Sequence, residues 1–221
     1  MARGRHPTRL RIDPPDAQAA AKYLRIWYGG ELHSEPGRFP GLTSQELFGN
    51  ARPLEIDFGC GTGVLACSRA QKFPDVNFLG IDNSQKPLFC AIRDAVTLDL
   101  ENVKFIRGNF NLMLALLRPQ SVCTAFYLFP NPPQDYHQGR ANGRRRNFLQ
   151  ALHTALVPGG RFYFATDSGL FFGCMNAIIQ DDLHYTSLNP EIADSDISTR
   201  YRRIWEERGR NVKSLVVEKG S

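Results

Sequence analysis

Three glycines at alternate positions, Gly59, Gly61 and Gly63, follow an apolar run that stops at Asp57. A residue without Cβ takes positive φ and lets a ligand lie against the backbone, so Pro53 to Gly63 reads as a strand ending in a ligand-binding turn. The helix expected from Val64 then aims its free N–H groups at the same ligand. Alone, such a turn serves dinucleotides, nucleosides and plain tight turns alike. Two acids narrow the choice. Asp57, inside the turn, would repel a pyrophosphate and attract an ammonium. Asp82 ends the next apolar run, Val76 to Ile81, about twenty residues past the glycines, where a carboxylate can grip ribose hydroxyls. Ribose on one side and an amino-acid ammonium on the other describe S-adenosylmethionine better than NAD.

These residues need a scaffold, and the chain supplies an alternation of short apolar runs and helical segments. Strands are expected at 53–58, 76–81, 103–107, 122–129 and 161–166, with helices at 63–72, 84–98, 112–117, 145–156 and 170–181 between and after them. Pro158-Gly159-Gly160 is expected to turn the chain into the fifth strand, and two further strands are expected near 183–188 and 211–218. This pattern predicts an α/β fold with a doubly wound, mostly parallel, seven-stranded sheet. In such sheets ligands bind beyond the carboxyl ends of the strands. Asp57, Asp82, Asn109, Asn131 and Asp167 each fall at one of those ends. Any one could be an ordinary turn residue; five at successive ends point to a site.

The 221 residues suffice for one sizeable core. We expect an N-terminal basic arm and helical extension over residues 1–50, with a helix at 16–28 and a short one at 44–48, and a cofactor-binding domain over 51–221. With 42% hydrophobic and 22% charged residues the composition is that of an ordinary folded protein. No apolar run approaches a membrane span, and the N-terminus lacks the apolar core of a secretory signal, so a cytoplasmic protein is expected. Five cysteines without a CxxC pair and five scattered histidines argue against disulfides and metal alike. Cys60, in the glycine-rich turn, reads as a small filler. The net charge of +5 is concentrated in three arginine clusters: residues 3, 5, 9 and 11; residues 140 and 144–146; and residues 200, 202, 203, 208 and 210. If they share a face they make a phosphate-binding surface.

With these residues in view, the chain resembles the class I S-adenosylmethionine-dependent methyltransferases, and among them the bacterial tRNA (guanine-N7-)-methyltransferases. The resemblance runs from about Phe48 to the C-terminus. It is carried by Asp57-Phe58-Gly59-Cys60-Gly61-Thr62-Gly63, Phe78-Leu79-Gly80-Ile81-Asp82, Ala165-Thr166-Asp167 and Thr199-Arg200-Tyr201-Arg202. It implies a cofactor held by Asp57, Gly59, Gly61, Gly63, Asp82, Asn83, Asn109, Phe110 and Asn131. It further implies Asp167 and Asn131 as catalytic residues, and substrate contacts from Asp167, Thr199, Arg200, Tyr201, Arg202, Arg144 and Arg145. The implied partner is tRNA, methylated on a variable-loop guanine by a monomer or homodimer. The chain departs from the family pattern after the fourth strand, where Asn131 replaces Asp, Pro133 replaces Trp, and Asp135 falls where Lys is expected; Arg202 stands in place of Glu. Asn131-Pro132-Pro133 also copies part of the motif of amino-group methyltransferases, with Gln134 where that motif has an aromatic. An amino-group enzyme, a small-molecule methyltransferase and an RNA-binding relative without turnover therefore remain alternatives.

Overall fold

A computed structural model describes residues 12–130, 139–182, 185–189 and 211–220. In chain order the elements are α1 Ala17–Tyr23, β1 Leu24–Ile26, α2 Gly29–Ser34, α3 Ser44–Phe48, β2 Leu54–Phe58, α4 Val64–Lys72, β3 Asn77–Asp82, α5 Gln85–Thr97, β4 Val103–Arg107, β5 Val122–Leu128, α6 Gly139–Ala155, β6 Leu156–Thr166, α7 Gly169–Asp182, β7 Tyr185–Leu188 and β8 Lys213–Lys219.

The strands form one sheet in the order β1-β4-β3-β2-β5-β6-β8-β7. The pairs from β1 to β6 are parallel, and β8 runs antiparallel to both β6 and β7. Every residue of β2 is buried and all of β3 except Asp82, as expected of parallel strands covered on both faces. One face carries α1, α4 and α5, whose Tyr23, Ala66, Ala70, Leu88, Ile92 and Ala95 pack with Phe78, Val103 and Phe105. The other carries α6 and α7 with the short N-terminal elements, so that Trp27, Leu32 and Leu42 join Ile56, Phe148, Leu152, Phe171 and Met175 in one cluster.

The chain winds outward through β2, β3 and β4, then returns to place β5 on the other side of β2. This reversal leaves a crevice at the carboxyl ends of β2 and β5. The elements bordering it are locked in place from within. Glu55 in β2 receives a two-pronged pair from Arg69 of α4, at 2.6 and 2.9 Å, and both side chains are nearly excluded from solvent.

Four expectations are corrected. The sheet has eight strands, because the segment expected to be helical over 16–28 is helical only to Tyr23 and then pairs with β4. Its apolar spacing is satisfied on both sides of that change: Ala19 and Tyr23 face α5, while Trp27 packs against Phe39. Residues 112–117 form two short 3-10 turns, Phe110–Leu112 and Leu114–Leu116, in place of an α-helix. Pro158-Gly159-Gly160 lies inside β6 as an irregularity: the register jumps from Val122 opposite Leu156 to Thr124 opposite Arg161, with Gly159 at φ 74°. Between the helices expected at 16–28 and 44–48 lies a further helix, α2, Gly29–Ser34.

Candidate active site

The glycine turn is built by backbone bonds to the neighbouring strand. Gly59 and Cys60 both donate to the Ile81 carbonyl, at 2.8 and 3.1 Å, and the Gly61 N–H donates to the Asp82 carboxylate at 2.9 Å. Gly59, Gly61 and Gly63 all have positive φ, 80°, 54° and 69°, but they serve two purposes. A Cβ on Gly59 or Gly61 would meet nothing within 4 Å, whereas one on Gly63 would stand 2.4 Å from the Ala91 Cβ. The first two therefore leave an open cradle, and the third lets α4 pack against α5. Beneath the turn Cys60 is buried, and burial together with Asp57 and Asp82 pushes its thiol well above its ordinary range, which suits a filler and not a nucleophile.

Asp82 closes the cradle. One carboxylate oxygen accepts from Gly61 and the other from the Ser84 N–H at 2.7 Å. An ionised carboxylate offers about four acceptor sites, so room remains for a pair of hydroxyls. Asn83 beside it is exposed. Asp57 is buried at 7% exposure, and burial, then the charge of Asp82, raises its pKa to about 7. A cation beside it would favour its ionised form.

A cavity of about 300 Å³ opens beyond β3, β4 and β5, lined by Asn83, Asn109, Phe110, Asn111, Tyr127, Arg144, Arg145, Phe148, Phe171 and Met175. Asn109 positions its floor: its Oδ1 accepts from the Asn111 N–H at 3.0 Å and caps the following 3-10 turn. Phe110 then meets Tyr127 and Phe148 with ring centroids 5.5 and 5.4 Å apart. Flat aromatic walls with amide groups at the rim suit a heterocyclic base. Arg144 is exposed, but the helix turns Arg145 inward, buried at 6% with its guanidinium 5.3 Å from the Phe171 ring centre. Asp167, half-buried, follows β6 at the same edge, between the buried Thr166 and Ser168, whose hydroxyl accepts from Phe171 in the first turn of α7. At the end of β5, Phe129 is held at φ 51°, with its N–H on the Ala165 carbonyl at 2.7 Å. A bulky residue there is strained, and it directly precedes Pro130 and Asn131.

The structure thus gathers Asp57, Gly59, Gly61, Asp82, Asn83, Asn109, Phe110, Arg144, Arg145 and Asp167 at one edge of the sheet. Asn131, Thr199, Arg200, Tyr201 and Arg202 lie outside the described residues, as do the arginines of the N-terminal and C-terminal clusters. Tyr127, Phe148, Phe171 and Met175 carry no sequence signal of a site, because their apolar spacing is that of core residues. Among the described residues no group of three acidic, histidine or cysteine side chains could hold a metal ion, and no helix is long and apolar enough to cross a membrane.

A glycine cradle at the switch point, an acid ending the adjacent strand and an antiparallel last pair of strands define a class I methyltransferase. Solved structures agree on the fold. The 16S rRNA methyltransferase KamB superposes with a TM-score of 0.57 at 16% identity, over 80% of this chain and 92% of its own. An rRNA methylase from Streptococcus thermophilus gives 0.54 at 13%, over 77% and 88%. A family model described as a putative methyltransferase matches residues 51–215. The tRNA (guanine-N(7)-)-methyltransferase of Chloroherpeton thalassium is 38% identical over 98% of each chain. That of Rubrobacter xylanophilus is 39% identical over 92% of this chain and 93% of its own. The chain belongs to the tRNA (guanine-N7-)-methyltransferase family.

Proposed function

We propose that this protein transfers the methyl group of S-adenosylmethionine to N7 of a guanine in the variable loop of tRNA, as a cytoplasmic monomer or homodimer. The observation that carries the reading is the near-full-length similarity to enzymes of that name, together with a site whose open cradle has the shape the cofactor needs. Gly59 and Gly61 would leave space for the methionine chain, Asp82 would keep acceptor sites for the ribose hydroxyls, Asn109 and Phe110 would border the adenine, and Asp57 would hold the ammonium.

When bound, S-adenosylmethionine supplies an electrophilic methyl group on a sulfonium. Guanine N7 carries an in-plane lone pair and no proton, so the protein needs no base to free the nucleophile. Its residues instead align the reactants, and holding them in near-attack geometry can contribute roughly 7–11 kcal/mol. Asp167, at the end of β6, would accept hydrogen bonds from the guanine N–H edge, which adenine lacks in that pattern. Asn131 follows the strained end of β5 and serves the methionine end or the target base.

Incubation of the purified protein with labelled S-adenosylmethionine and unmodified total tRNA, followed by digestion to nucleosides, tests the reading. Label in 7-methylguanosine is expected. Label in a methylated adenosine would establish the amino-group alternative instead.

A further inference from the structure

The loop after β4 carries two asparagines whose side-chain amides are bonded to each other. The Asn109 Oδ1 accepts from the Asn111 N–H at 3.0 Å and from the Asn111 Nδ2 at 3.3 Å. Both residues line the cavity of about 300 Å³, as does Asn83. Asn109 is half-buried and Asn111 is exposed. The loop is tied to the strand that presents Asp82. The Gly108 N–H donates to the Asp82 carbonyl at 2.9 Å, while the Asp82 carboxylate accepts from Gly61. A nucleoside whose ribose lay on that carboxylate would bring its base to the two asparagines.

The chemistry of an amide decides what remains for a ligand. A side-chain amide has an oxygen with two lone pairs and a nitrogen with two hydrogens. Both lone pairs of the Asn109 Oδ1 are taken by Asn111, so what Asn109 can offer is its Nδ2. The Asn111 Nδ2 donates to that same oxygen, and the Asn111 Oδ1 accepts no hydrogen bond among the described residues. The pair thus presents one donor and one acceptor, where a lone carboxylate would present acceptors alone. Asparagines bonded through their amides are ordinary in a turn. This pair differs because its remaining donor and acceptor belong to the lining of a base-sized cavity. Adenine carries the complement on its outer edge: N1 accepts and the 6-amino group donates. Hypoxanthine and guanine reverse both positions.

We propose that Asn109 and Asn111 together read the adenine of the cofactor, the Asn109 Nδ2 donating to N1 and the Asn111 Oδ1 accepting from the 6-amino group. Asn111 is then a specificity-determining residue that lies outside the pattern of glycines and acids. The same arrangement turns away guanine, which presents a donor at N1 and an acceptor at O6, so the target base does not settle in the cofactor's place. The pair rests on the position of Asn109 beside the adenine given above.

The test measures affinity by calorimetry for three ligands: S-adenosylhomocysteine, its purine analogue without the 6-amino group, and its inosine analogue. Denaturation midpoints serve as the control for folding. Wild type should bind the amine-free ligand about 2- to 12-fold more weakly than S-adenosylhomocysteine, and the inosine ligand at least about 30-fold more weakly. In Asn111→Ala the amine should cease to matter, so that the adenine and amine-free ligands bind within about two-fold of each other. Asn109→Asp keeps the acceptor for the Asn111 N–H but turns the remaining donor into an acceptor, and should narrow the preference for adenine over hypoxanthine by at least about tenfold. Equal binding of the adenine and amine-free ligands by wild type overturns the pair with no variant needed. So does an amine effect that persists in Asn111→Ala, or a preference that Asn109→Asp leaves unchanged. Failure of wild type to bind S-adenosylhomocysteine would sink the cofactor site and the pair with it; binding that ignores the amine would sink the pair alone.

Discussion

Asp57 is a carboxyl group that the fold holds at a pKa of about 7, chiefly through burial and secondarily through the charge of Asp82. Its folded value lies above its unfolded one, so the stability it contributes is complete below about pH 4 and is lost as pH rises through 7. Denaturant midpoints of the ligand-free protein should fall over that window, and Asp57→Asn should flatten the fall. A cationic ligand reverses the preference. S-adenosylmethionine binding should release a proton and tighten by up to about tenfold per pH unit between pH 5 and 7, read by calorimetry in buffers of different ionisation enthalpy; affinity independent of pH would remove Asp57 from the cofactor site. At Asp167 the opposite pattern is expected: Asp167→Ala should abolish transfer while cofactor affinity stays nearly intact, and a large loss of cofactor affinity would place that carboxylate on the wrong ligand. Both acids stand out in the sequence because each lies at the carboxyl end of an apolar run, Asp57 next to the last residue of β2 and Asp167 just past β6. The difference between Arg144 and Arg145 does not, because which of two adjacent arginines a helix turns inward depends on packing against α7 that no local pattern records.

At the scale of elements, the glycine turn separates binding from packing. Gly63→Ala places a Cβ against Ala91 and Phe105 at positive φ, and overpacking plus backbone strain should cost about 2–5 kcal/mol of stability in urea denaturation. Gly61→Ala has open space before it, so it should cost only the strain, about 1–3 kcal/mol, yet weaken the cofactor by filling the cradle. Equal losses of stability from the two would contradict this division. The strands β2 to β5 could be read from apolar runs bounded by turn residues, since burial on both faces makes composition decisive. Strand β1 could not: its three residues are too short for periodicity, and only pairing with β4 distinguishes Leu24–Ile26 from the end of α1. The aromatic wall of the cavity was hidden for a related reason. Tyr127, Phe148 and Phe171 pack as core residues and line the site at once, and apolar spacing reports the first role alone.

Across the whole molecule, cofactor, target base and RNA chain would meet along one edge of the sheet, from Asn109 past Asp82 to Asp167. The exposed Arg144 and Arg146 lie on α6 above that edge, and the net charge of +5 fits a partner whose affinity falls with added salt. The cofactor half of this organisation is readable in the amino-acid sequence, because glycines and acids at strand ends report the cofactor directly. In the proposed reading the choice of base falls to Asp167 and the cavity, and so the central claim concerns a single atom. Its most direct test compares two tRNA transcripts, one with guanosine and one with 7-deazaguanosine throughout, each incubated with the protein and labelled S-adenosylmethionine. Label should enter the guanosine transcript, as 7-methylguanosine, and not the transcript that lacks N7; equal incorporation into both would contradict N7 as the acceptor.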